Sequence, residues 1–202
     1  EFDVMPGGER QREYATRLAI MVDENTPEAG MVAAAEAAAA AAGLTVMPGQ
    51  SQSVKRWVLV KVAPMGAAAE ISAKIDAVVA AGAAFASPVF ESNYVQGGFV
   101  VITPHVLARR AAEGRAAQVV PGLQVEGPLG DIPGAVRMTS TLRNGYAVLR
   151  QANQLALNPA YAWAEPDVMG SMELNRFVPN DPNFSSQWGL DQTSDDDIDA
   201  PE

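Results

Sequence analysis

Apolar positions along the chain switch between two spacings, and the switch repeats four times. A short run of alternating or continuous apolar residues gives way to a stretch with an apolar residue every third or fourth position, then to a Gly or Pro and another apolar run. Alternation suits a strand and the wider spacing a helix, so each repeat predicts a β-α-β unit. In the first, residues 17–22 form a strand, Thr26 is the candidate N-cap of a helix over 27–42, Gly43 stops it, and 44–47 is the returning strand. In the second, 57–62 is a strand, Ala68, Ile71, Ile75, Val78 and Val79 share one helical face, Gly82 ends the helix, and 84–90 is extended. After Gly97 and Gly98, residues 99–110 are β-rich, a short helix is expected over 111–120, and 123–126 follows Pro121-Gly122. The fourth unit takes 135–139 as strand, 145–157 as helix with Val148, Leu149, Ala152, Leu155 and Ala156 on one face, a stop at Asn158-Pro159, and 161–165 as strand.

Two such units in succession make a βαββαβ module, which closes a four-stranded antiparallel sheet with two helices on one face, the ferredoxin-like fold. The expected architecture is α+β: two tandem ferredoxin-like modules with antiparallel sheets, at residues 14–92 and 98–168, followed by an extended tail over 169–202. The periodicity disappears after Asp167, where Pro179, Asn180, Pro182, Asn183 and an Asp-rich end replace it.

Charge separates the same regions. Lys and Arg number 14 against 24 Asp and Glu, a net charge of −10. Seven of those acids lie after Arg176, where no base occurs, so residues 1–176 carry only −3. This balance argues against nucleic acid as a partner, which demands clustered cations. There is no cysteine, hence no disulfide, thiolate or Cys-zinc chemistry. No apolar run approaches the roughly 20 residues of a membrane span, so no membrane partner is expected. The first residues lack a signal-peptide pattern, and because residue 1 is Glu, a preceding segment is expected.

Candidate chemistry is sparse. The one histidine, His105, follows Thr103-Pro104 at a strand edge with no Gly-x-Ser-x-Gly nucleophile to pair with it, so it reads as an ordinary turn or surface residue. Asp195, Asp196, Asp197 and Asp199 invite calcium, but the EF-hand spacing with its central Gly and final Glu is absent, and a solvated acidic run is the expectation. Trp57 and Trp163 lie in strands and are expected in the core. Up to Val168 nothing names a function, since this fold hosts many unrelated activities.

The tail is more specific. The run Val178-Pro-Asn-Asp-Pro-Asn-Phe-Ser-Ser-Gln-Trp-Gly-Leu190, followed by Asp197-Ile-Asp-Ala-Pro-Glu202, resembles the entry to the catalytic domain of a subtilisin-like serine protease. Upstream, Ala162-Trp-Ala-Glu-Pro-Asp167 is similar to the final strand of a subtilase pro-domain. The motifs cover about the last 40 residues closely and residues 98–168 loosely. Residues 1–92 match only in general shape. The resemblance implies a pro-region that ends before the catalytic Asp. In the Asp, His, Ser chain order of subtilisins such a chain holds no triad and is itself inactive, although the full-length protein is then a serine endopeptidase.

Pro-domains of this family are implied to act as intramolecular folding chaperones and as product-like inhibitors, the partner being the catalytic domain of the same polypeptide. A preformed sheet lowers the search cost of slow long-range pairings, and an extended C-terminal strand adds to the substrate groove by backbone pairing. The strand expected to leave the module is 167–177, with Asp167 at its start and Val168, Met169, Met172, Leu174 and Phe177 as pocket fillers, and with the processing bond inside it. Phe184 and Trp188 are the candidate anchors onto the catalytic domain. A competing reading makes this stretch a linker between domains that are never separated. No cofactor is expected in this chain. Calcium belongs, if anywhere, to the full-length protease, and the expected location is secreted or extracytoplasmic. Two other classes stand beside this one: a free-standing tandem ferredoxin-like binding protein or protease inhibitor, which has no need of the 184–190 and 198–202 motifs, and a small-molecule-sensing α+β domain, which a ligand would stabilise.

Overall fold

The computed structural model describes residues 2–3, 10–11, 13–92, 95, 97–111 and 120–171. Glu1–Ser171 form one compact unit and Met172–Glu202 a second, which lies outside the described residues. In chain order the elements are β1 (Phe2–Asp3), β2 (Arg10–Gln11), β3 (Glu13–Met21), a 3-10 turn at Glu28–Gly30, α1 (Met31–Ala41), β4 (Gln52–Val54), β5 (Trp57–Lys61), α2 (Ala68–Ala80), β6 (Phe85–Glu91), β7 (Phe99–Arg110), β8 (Leu123–Pro128), β9 (Ala135–Ser140), α3 (Gly145–Ala156) and β10 (Tyr161–Gly170). The short β1 and β2 pair only with each other. The other eight strands form one antiparallel sheet in the order β4-β5-β3-β6-β7-β9-β8, with β10 on the remaining edge of β7. The protein is therefore α+β, with an antiparallel sheet and three α-helices among the described residues.

The two helices of the first half end where glycine permits. Gly43 at φ +73° and Gly82 at φ +109° adopt the left-handed conformation that a side chain resists. The amides of Leu44 and Ala83 then reach back to the carbonyls of Ala39 and Val78, satisfying carbonyls that the helix ends leave free. Both stops were expected. The expected cap was not: Thr26 does not cap α1, whose regular turns begin only at Met31 after Pro27 and the 3-10 turn. α1 is almost all alanine and buries Met31, Ala35, Ala38 and Ala39; α2 buries Ile71, Ile75 and Val78. Against them lie Leu18, Ile20, Val58 and Val60, all fully buried. Trp57 and Phe85 meet edge to face at 5.8 Å in the same core.

Two further differences from the expected pattern have physical causes. Residues 44–47 contribute a single bridge, Val46 to Val62, before Pro48 and the left-handed Gly49 (φ +69°) turn the chain. The regular partner of β5 is instead the polar β4, joined to it by the two-residue turn Lys55-Arg56, with Lys55 at φ +53°. Arg56 fastens that turn by donating to the carbonyls of Thr26 and Val22. The second difference is that the halves share a sheet, through the pairs Val89 with Val101, Phe90 with Val100 and Glu91 with Phe99. In each half the spatial order of strands is fourth, first, third, second: β6-β3-β5-β4 and β10-β7-β9-β8. The short helix expected over 111–120 lies, apart from its end residues, outside the described residues.

A polar seam fastens the halves where α3 begins. Asn144 caps α3 by accepting from the Tyr146 amide at 2.9 Å, and its side-chain amide donates to Asp76 Oδ1 (2.7 Å) and the Ser72 carbonyl (3.3 Å) on α2. Tyr146 Oη donates to the Glu13 carboxylate on β3. Ser87 Oγ accepts from the amide of Ile102 at 3.2 Å. A Cβ at Gly145 would stand 2.5 Å from Ser87 Oγ and 2.9 Å from Pro88 Cδ, so only glycine fits this approach of α3 to β6.

Candidate functional site

Of the residues expected in the departing strand, Asp167, Val168 and Met169 are described, and all three belong to β10. They do not leave the sheet. Val168 pairs with Ile102, Met169 with Val101 and Gly170 with Val100, and the Ser171 amide still donates to the Phe99 carbonyl at 2.9 Å. The reason is the length of β7: its twelve residues offer partners back to Phe99, so pairing persists beyond the Glu165-Pro166-Asp167 triplet. At Gly170 a Cβ would come within 2.8 Å of the Phe99 carbonyl oxygen, so the close approach that ends the strand also requires glycine. Met172, Leu174, Phe177, Phe184, Trp188 and the acidic run Asp195, Asp196, Asp197 and Asp199 lie outside the described residues.

Within β10 the side chains divide by face. Met169 is half-buried against the core, Val168 is 46 % exposed, and Asp167 accepts from Thr103 Oγ1 at 3.1 Å. Trp57 is buried as expected, whereas Trp163 on β10 is only half-buried. Among the described residues β10 pairs with β7 alone, so its second edge presents backbone donors and acceptors to no other strand. Pro166, which removes one backbone donor, sits where an edge strand tolerates it.

Beside Asp167 is a polar cluster that the linear reading did not assemble. His105 pairs with Thr139 across β7 and β9, and its Nδ1 lies 3.2 Å from Thr139 Oγ1 and 3.7 Å from Glu126 Oε2 on β8. Glu126 Oε2 also lies 3.2 Å from Arg137 Nε, as an ion pair without hydrogen-bond alignment. Burial holds the His105 imidazole below its ordinary pKa, aided by Arg137 and opposed by Glu126 and Asp167. The hydroxyl and the carboxylate approach the same ring nitrogen. A hydrolytic relay needs them on opposite nitrogens, one taking the nucleophile's proton while the other is held. Cross-strand spacing between β7, β8 and β9 would have revealed this cluster had the strand pairing been known.

At the seam, burial raises the Glu13 carboxyl above its ordinary pKa against the lowering effect of the Tyr146 hydrogen bond, and burial followed by the bond to Glu13 pushes the Tyr146 phenol far up. Tyr146 therefore remains a donor throughout the pH range in which proteins fold. No group of three or more His, Asp or Glu with metal-holding geometry occurs among the described residues. No helix there is long and apolar enough to cross a membrane.

Comparison with known proteins finds no family model, no curated protein and no solved structure that matches the chain.

Proposed function

We propose that this chain is the pro-region of a subtilisin-like serine endopeptidase, built from two ferredoxin-like modules fused edge to edge, and that it serves as chaperone and product-like inhibitor of the catalytic domain. The observation that carries the reading is β10. It closes a fourth-first-third-second set of strands, contains Glu165-Pro166-Asp167, keeps one edge free among the described residues, and runs directly in sequence toward Met172, Leu174 and Phe177. A strand ending in an apolar extension suits insertion into a groove by backbone pairing, with alternate side chains filling pockets. The partner is a catalytic domain of the same polypeptide, and the setting is extracytoplasmic.

The test compares the chain ending at Phe177 with the chain ending at Ser171, as inhibitors of the subtilisin-like catalytic domain encoded downstream. Cutting after Ser171 spares every paired residue of β10, whereas a cut before Val168 would damage the sheet itself. The longer chain is expected to inhibit, and the shorter to lose at least tenfold in potency, about 1.4 kcal/mol. Equal potency would refute the strand-in-groove mechanism. A stop codon in place of a downstream catalytic domain would instead favour a free-standing inhibitor.

A further inference from the structure

Arg17 on β3 and Lys61 on β5 are direct cross-strand partners. Like charges set opposite each other on an antiparallel pair destabilise it, and neither cation has an acidic partner among the described residues. Both are held by neutral groups instead. The Arg17 guanidinium lies over the Tyr14 ring at 4.9 Å from its centroid, and Lys61 Nζ donates to Thr16 Oγ1 at 3.0 Å. The turn at Pro48 and Gly49 then brings in Gln50, and β4 brings Gln52 opposite Leu59. Arg17, Lys61, Gln50, Gln52 and the buried Leu59 line a hollow of about 290 Å³. Among the described residues no carboxylate lines it, in a chain of net charge −10.

We propose that this hollow binds a small organic anion carrying at least two acidic oxygens, a phosphate monoester or a dicarboxylate. The planar fork of Arg17 donates to two oxygens side by side, Lys61 adds a point charge, and the two primary amides supply further donors. An anion seated there also removes the Arg17 to Lys61 repulsion, so it stabilises the folded chain over the unfolded one. The volume suits a metabolite-sized group, and the site is independent of the pro-region reading, since none of its residues belongs to β10 or the tail.

The test is thermal unfolding of the 202-residue chain at constant ionic strength, titrated with inorganic phosphate and, separately, with succinate, against chloride. A rise in Tm that grows with the logarithm of anion concentration above Kd is expected, roughly 5–10 °C at a hundredfold excess over Kd, and R17Q and K61Q are expected to abolish it. Response to phosphate alone assigns the phosphate monoester, and response to succinate alone the dicarboxylate. A rise of equal size in the wild type and both variants is the general salting effect of these anions and overturns the proposal, as does no rise with either. If a variant fails to fold, the side-chain amide resonances of Gln50 and Gln52 in the wild-type chain decide: saturable shifts on titration support the site, and unmoved resonances overturn it.

Discussion

The two halves of the sheet repeat one strand order with opposite treatments of their faces. In the first half four consecutive residues of β5, Trp57 to Val60, are buried, as are six of seven in β6. In the second half β8 buries none of its residues and β9 only Ala135, Met138 and Ser140, and the cluster of His105, Thr139, Glu126 and Arg137 occupies positions that are not buried. The same topology thus serves as a packed block on one side and as a half-open sheet on the other. Stability should be concentrated in the first half, and sensitivity to solvent and pH in the second.

The largest effect expected from that contrast is in side-chain truncation. Ile75→Ala removes a fully buried side chain from the first half and should cost about 2–5 kcal/mol, whereas Val125→Ala on β8, 56 % exposed, should stay within about 0.5 kcal/mol. Urea unfolding measures both, and comparable losses would erase the distinction. Next in size is the seam. Asn144→Ala deletes the α3 cap and the bond to the exposed Asp76, so a loss of about 0.5–2 kcal/mol is expected. If the seam is what couples the halves, the wild type should unfold in one step and this variant should broaden or split that transition.

The smallest effects are in pH dependence, and the halves carry opposite signs. The folded-state pKa of Glu13 is raised, so its contribution is fully present below the ordinary 4.5 and is lost as pH rises through the folded value. Tyr146→Phe removes the hydrogen bond that opposes this shift and should carry the loss to higher pH. The folded-state pKa of His105 is lowered, so its contribution is present above the ordinary 6.5 and is lost as pH falls through the depressed value. His105→Gln should flatten stability in that window and leave the Glu13 window untouched. A change in both windows would show that the clusters are not independent.

Much of the first half was legible because its signals are local. Gly43 and Gly82 stop helices by backbone freedom alone, and Ile71, Ile75 and Val78 mark a face by spacing alone. β4 was not legible, because Gln52 and Ser53 join the sheet through the turn at Lys55 and not through apolar burial. The joining of the sheets was missed by treating Gly97 and Gly98 as a boundary. Two apolar runs separated by a short glycine-containing stretch are equally a hairpin signal, and β6 and β7 are such a hairpin. Asp167, Val168 and Met169 were assigned to a departing strand because the apolar periodicity disappears after Asp167, yet pairing is a backbone property that side-chain pattern does not report. The Glu13 to Tyr146 bond had no sequence signal at all.

That bond has a consequence for how the chain is made. Its partners are 133 residues apart, and at synthesis rates of about 5–20 residues per second the phenol follows the carboxylate by roughly 7–27 s. During that interval β3, β5 and β6 are completed in turn and can pair, while Glu13 still lacks its partner. Only the arrival of α3 supplies the donor, so this contact is made after the chain has been built as far as Tyr146 and α3 has docked.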